Sequence, residues 1–141
     1  KELIELRNEL EFLQPYSYLL QQRFSEGLKL EIEVPEKYYG HYILPAALQM
    51  LIENAIKHNV LSRKKPLHVK VYANGNNTIS VINNLQPKII PEVPSSHIGL
   101  NNIRKRYELI AGKDIDIIKN EETFAVSLPL IEISYYESAD N

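Results

Sequence analysis

The chain has 141 residues, 44% of them hydrophobic, enough for about one folded domain with a real core. Its 16 basic and 18 acidic side chains leave a net charge of −2, which argues against general nucleic-acid binding and makes any polyphosphate site a local one. With no cysteine, disulfides and thiolate-metal sites are excluded; the scattered His41, His58, His68 and His97 lack zinc spacing, and no apolar run approaches the roughly 20 residues of a membrane helix.

Residues 2–26 read as one helix, because Leu3, Leu6, Leu10, Leu13, Leu20 and Phe24 recur at helical spacing. Pro15 is expected to kink or break it, and Gly27 to end it. Lys1 opens the chain inside this pattern, so a longer protein is expected upstream. Residues 28–34 alternate strictly, with Leu28, Leu30, Ile32 and Val34 on one face, and predict a strand stopped by Pro35. A second helix is expected over residues 45–61, with Pro45 in its first turn.

Residues 67–73 and 78–83 form a predicted hairpin through Asn74-Gly75-Asn76-Asn77. Residues 84–98 contain Pro87, Pro91 and Pro94 and predict a long loop of the length usually reserved for function. A third helix is expected over residues 100–110, stopped by Gly112. Residues 114–119 and 123–130 predict a second hairpin, and the acidic tail from 132 is expected to fray.

The order is a long helix followed by β-α-β-β-loop-α-β-β. It predicts an α/β (α+β) two-layer sandwich, a mixed sheet of about five strands with helices on one face. The long N-terminal helix has no obvious place in that sandwich, and its stripe suggests a partner helix outside this chain.

The most informative segment is LIENAIKHNV, residues 51–60. At about 100° per residue, Glu53, Asn54, Lys57 and His58 fall in one polar stripe, with Gln49 at its edge. Leu48, Leu51, Ile52, Ala55 and Ile56 fill the opposite side. A solvated face is the commonest reason for such a stripe, and Glu53 and Lys57 make an ordinary i,i+4 pair. Asparagine adds little to a salt-bridged surface, however, and the apolar run is dense for a peripheral helix. A carboxylate, an amide, an ammonium and an imidazole together suit an anion with a bound cation, which points to nucleotide phosphates and Mg²⁺.

LIENAIKH resembles the N box of the GHKL (Bergerat-fold) ATPases, the superfamily of histidine kinases and gyrase, and HIGLNNIRKRY, residues 97–107, resembles the glycine box that closes their ATP lid. With LPAALQMLIENAIKH and the closing FAVSLPL, the chain looks most like the C-terminal ATP-binding domain of LytS-type sensor histidine kinases. The resemblance implies ATP and Mg²⁺ as cofactors, with Asn54 as metal ligand, Glu53 as the catalytic carboxylate that polarises the attacking group, and Lys57 and His58 on phosphate oxygens. It further implies nucleotide contacts from the lid segment Ser96, His97, Ile98, Gly99 and Leu100, where a helix N-terminus favours anions. Asn83 stands where the family carries an aspartate for the adenine amino group, and its carbonyl can accept the same hydrogen bond.

Leu85 replaces a family glycine, and His97 replaces the first lid glycine, where a solvent-facing loop histidine is the favoured reading. No phosphoacceptor histidine motif is present in the sequence; the resemblance puts it upstream of Lys1. The implied organisation is residues 1–27 as the end of a dimerisation helix, 28–131 as the ATP-binding domain and 132–141 as tail. The implied function is transfer of the ATP γ-phosphoryl group to a histidine outside this chain, then onward to a response regulator. The implied partners are a second copy, joined through the upstream helix, and that regulator, with no nucleic acid. The implied location is cytoplasmic, with attachment to an inner membrane only through an upstream segment. The alternative is a degenerate GHKL module in which Asn83, Leu85 and His97 have weakened or abolished nucleotide binding, leaving dimerisation and regulator docking.

Overall fold

The computed structural model describes residues 2–89 and 98–132. In chain order the elements are β1 (Ile4–Glu5), α1 (Leu6–Phe24), β2 (Leu28–Glu33), β3 (Tyr42–Ile43) and α2 (Ala47–His58). Then follow β4 (Leu67–Asn74), β5 (Thr78–Asn84), α3 (Ile98–Ala111), β6 (Asp116–Lys119) and β7 (Thr123–Pro129). Five strands form a mixed sheet in the order β2-β4-β5-β7-β6, parallel between β2 and β4 and antiparallel elsewhere. This is the expected α/β sandwich.

Alternation places Leu67, Val69 and Val71 of β4 beside Ile79 and Val81 of β5, and Val126 and Leu128 of β7 in the next row. These buried side chains meet Leu48, Leu51, Ile52 and Ala55 of α2 and Leu100, Ile103 and Tyr107 of α3 in one core. Alternate strand residues reach the opposite face, where Ser80 and Ser127 pair hydroxyl to hydroxyl at 2.6 Å. On β2 the burial fades along the strand, from fully buried Leu28 to Ile32 at 36% exposure. Its expected apolar face is therefore fully covered at Leu28 and only partly at Leu30 and Val34, which still pack against the core.

The first helix departs from expectation at both ends and in its role. Ile4 and Glu5 are not helical; they pair antiparallel with Ile43 and Tyr42. The Leu6 N–H then donates to the His41 carbonyl at 2.7 Å and the Arg7 N–H to that of Tyr39 at 3.0 Å, which fixes the helix start. Two-residue strands carry no periodicity that a sequence pattern reveals. The helix then runs unbroken through Pro15. Both Pro15 and Glu11, whose carbonyl loses its partner there, are exposed, so water can satisfy what proline cannot. It ends at Phe24, with Ser25 rather than Gly27 at positive φ.

Nor does α1 lack a place in the sandwich. Leu3, Leu6 and Leu13 are members of the core, and the Gln21 side chain clasps both the Leu28 carbonyl and the Leu30 N–H of β2. The packing therefore runs without a break across the expected division between residues 27 and 28.

Helix α2 starts at Ala47, two residues later than expected, and ends at His58, three earlier. Pro45 lies ahead of the helix, and Ala46 before its first turn is left-handed, at φ 66°. Beyond β4, the turn to β5 has Asn77 at φ 53°, the left-handed position of a three-residue hairpin loop. Helix α3 begins at Ile98 and closes as expected at Gly112, φ +64°. There the Gly112 and Lys113 N–H groups return to the Glu108 and Tyr107 carbonyls, a left-handed glycine cap. Finally, Ile131 after β7 forms a two-bond bridge with Tyr42, so Glu5, Tyr42 and Ile131 lie side by side in three short antiparallel segments.

Candidate functional site

The polar stripe of α2 divides between two neighbourhoods. Glu53 and Lys57, one turn apart, line a groove of about 610 Å³ between α1 and α2, with Tyr16, Arg23, Phe24 and Ile56 among its other walls. The Tyr16 hydroxyl donates to the Glu53 carboxylate, and burial together with this bond pushes the Tyr16 pKa up. Gln49 donates to the same carboxylate at 3.3 Å. Asn54 and His58 occupy the adjacent row of the helix and are half-buried, with the His58 Nε2 atom itself enclosed. A helical wheel gives these angles correctly but not the neighbours: from the sequence Tyr16 reads as one of several packing tyrosines, with no sign of its bond to Glu53.

Asn83 sits on β5 two residues beyond Val81, on the helix-covered face, and is 3% exposed. Its side-chain N–H donates to the Asn84 carbonyl at 2.8 Å. Asn84 points the other way and ties β5 to the start of β4: its Oδ1 accepts the His68 N–H at 2.7 Å, and its Nδ2 donates to the Pro66 carbonyl. Leu85, which stands at a family glycine position, gives its N–H to the Glu122 carbonyl. An amide buried on the covered side of a central strand is a costly place for a polar group unless something meets it.

The end of α2 and the exit of β5 are joined by a residue that the sequence reading passed over. Asn59 is 4% exposed; its Nδ2 donates to the Ala55 carbonyl and its Oδ1 accepts the Gln86 N–H, both at 2.8 Å. The Val60 N–H returns to the Gln86 carbonyl at 2.7 Å, and the Gln86 side chain donates to the Val60 and Lys65 carbonyls. This clamp holds the Asn54–His58 end of α2 against the strand that carries Asn83. Asparagine directly after a helix's last polar residue was the available signal, as a helix-stop residue.

The lid contributes less to the described geometry. Ser96 and His97 lie outside the described residues, and for Ile98 only its place as the first residue of α3 is described. Gly99 is half-buried in the first turn, and a Cβ there would meet nothing within 4 Å. The Leu100 side chain is buried in the core, so any ligand contact it makes is through its backbone. Tyr107 packs fully inside, with its hydroxyl accepting the Leu44 N–H at 3.2 Å, and burial raises its pKa. His41 stacks edge-on against Tyr38, with ring centres 5.6 Å apart, in keeping with a structural role. Arg104 pairs with Asp114 at 2.9 Å on the surface.

Among the described residues no group of three or more potential metal-ligating side chains occurs, and no helix is long and apolar enough to cross a membrane. An Mg²⁺ ion that keeps its waters needs only one or two protein ligands, so Asn54 with a phosphate chain suffices in principle.

No family model matches the chain. The sensor protein LytS of Oceanobacillus iheyensis is 30% identical over 128 residues, which cover 79% of this chain and 22% of LytS. The sensor histidine kinase YpdA of Escherichia coli is 28% identical over 147 residues, 96% of this chain and 24% of YpdA. The sensor protein kinase HptS of Staphylococcus aureus is 32% identical over 117 residues, 73% of this chain and 22% of HptS. The chain thus spans about a quarter or less of the length of these curated relatives. Among solved structures, the catalytic domain of the histidine kinase ThkA superposes with a TM-score of 0.61 at 15% identity, covering 92% of this chain and 97% of that one. The cytoplasmic segment of the histidine kinase QseC does so with a TM-score of 0.59 at 16% identity, covering 92% and 77%. In sequence and in fold, the chain belongs with the LytS-type sensor histidine kinases, as their GHKL-fold C-terminal domain.

Proposed function

We propose that the chain binds Mg·ATP between the C-terminal half of α2 and the start of α3, and serves a sensor kinase as its phosphoryl donor domain. The observation that carries this reading is the clamp through Asn59 and Gln86, which sets the Asn54 end of α2 against the strand bearing the buried amide of Asn83. A half-buried amide and a buried amide, on two elements fixed to each other, suit the two ends of one elongated ligand.

Asn54 would hold Mg²⁺ through its side-chain oxygen, and the carbonyl of Asn83 would accept the adenine amino hydrogen. Lys57 would place a point charge on phosphate oxygens, and the free N–H groups at the start of α3 would face the phosphates. Bound Mg·ATP would supply the γ-phosphoryl group, and phosphoryl transfer asks of the protein mainly position and charge neutralisation. Glu53 would polarise the attacking imidazole of a histidine outside this chain. The P–O bond to ADP breaks as the P–N bond forms. Passage to an aspartate of a response regulator, pairing of two copies and a cytoplasmic position beside a membrane belong to the same reading and rest on kinship with LytS-type kinases.

Titration calorimetry with Mg·ATP and Mg·ADP tests it. The expected result is binding by the wild-type chain and loss of the Mg²⁺ dependence in Asn54→Ala. Absence of binding at millimolar nucleotide, or an Asn54→Ala variant with unchanged affinity and Mg²⁺ dependence, overturns the assignment.

A further inference from the structure

Helix α2 begins without a capping side chain of its own. Ala46 precedes its first turn in a left-handed conformation and offers no oxygen beyond its backbone carbonyl. The first N–H groups of a helix have no partner within it, and here they are satisfied from a different helix. The Glu9 carboxylate of α1 accepts the Ala46 N–H at 3.0 Å through Oε1 and the Leu48 N–H at 3.1 Å through Oε2, and it also takes the Gln49 N–H. Ala47 donates to the Leu44 carbonyl. Every one of the four opening N–H groups of α2 is thereby accounted for, three of them by one side chain.

Glu9 is 4% exposed and stands in the buried row of α1 between Leu6 and Leu13. The bidentate grip fixes both the height of α2 along its axis and its rotation. A neutral cap on a flexible loop would fix neither. Asn54 lies about two turns further on, so a change at the first turn is carried along a rigid rod to the magnesium end of the proposed cleft. Asn83 on the sheet is not attached to that rod's start.

Resting on the nucleotide reading above, we infer that Glu9 is a positioning residue: by capping α2 from α1 it sets where Asn54 meets the metal-bound phosphates. The adenine end stays independent of it.

The test measures ADP affinity of the full chain with Mg²⁺ and with EDTA, and takes the ratio. In Glu9→Gln the ratio falls about tenfold, while affinity in EDTA stays at the wild-type value. Leu13→Ala, one turn along the same buried row, lowers the melting temperature but leaves the ratio unchanged, which separates placement from bulk stability. Should Glu9→Gln not fold, Glu9→Asp, which keeps the charge but shortens the reach by one methylene, carries the same expectation. A wild-type ratio in the folded Glu9 variant, or an equal fall in Leu13→Ala, overturns the inference alone. Absence of any binding by the wild type overturns the nucleotide reading and this inference with it.

Discussion

Replacing Asn59 by alanine removes both arms of the clamp between α2 and the exit of β5. Each arm is a 2.8 Å bond, with a net contribution of about 0.5–1.5 kcal/mol. The Gln86 N–H is left part-buried without its acceptor, at the low end of the roughly 1–3 kcal/mol cost of an orphaned donor. Together these give a loss of about 2–4 kcal/mol, and for a chain of this length a fall in melting temperature of roughly 6–16 °C. Urea unfolding followed by circular dichroism measures it, with the denaturant slope expected to stay constant because the surface exposed on unfolding is the same. A loss below about 0.5 kcal/mol, the level of an indifferent surface change, would refute the clamp as a structural joint. It would also remove the clamp as the joint between the Asn54 end of α2 and the strand of Asn83, leaving core packing alone between them.

Two further outcomes follow from α1. A chain beginning at residue 28 loses Leu3, Leu6 and Leu13 from the core and Glu9 from the start of α2. It is expected to lose cooperative unfolding, and a sharp thermal transition in that shortened chain would refute the packing described. Burial raises the Glu9 pKa above 4.5 despite the backbone N–H groups that oppose the shift. A raised folded-state value means the native state binds the proton more tightly than the unfolded chain. The associated stability is present below pH 4.5 and lost as pH rises through the raised value. Wild type should therefore lose stability relative to Glu9→Gln across that window, and a difference that grows in the opposite direction would refute it.

The strands were legible because alternation is a local property: Leu67, Val69 and Val71 declare a covered face without reference to anything else. The hairpin after β4 and the stop at Gly112 were legible for the same reason, since Asn77 and Gly112 each take the left-handed conformation that asparagine and glycine tolerate. The start of α2 was not, because its cap belongs to Glu9, 37 residues earlier than the Ala46 N–H it accepts. A charge in the buried row of Leu6 and Leu13 is its one local sign, and that sign does not say which helix the carboxylate caps. The pairing of Ile4 and Glu5 with Ile43 and Tyr42 had no sign at all in so short a ladder. For the candidate site, the N-box stripe was visible as a set of residue types. Its division between Tyr16 on one side and the clamp on the other depends on how α1 lies, which spacing alone does not encode.

The bridge from Tyr42 to both Glu5 and Ile131 has a mechanical meaning. Two strand spacings, about 10 Å, separate Glu5 from Ile131, near the two ends of the described residues. A domain whose doors stand this close can be spliced into the loop of another protein, or have its ends joined and be reopened elsewhere, without stretching its host. Tension applied between those two points unzips two short ladders before it reaches the five-stranded sheet, so the proposed nucleotide cleft is insulated from a pull along the polypeptide.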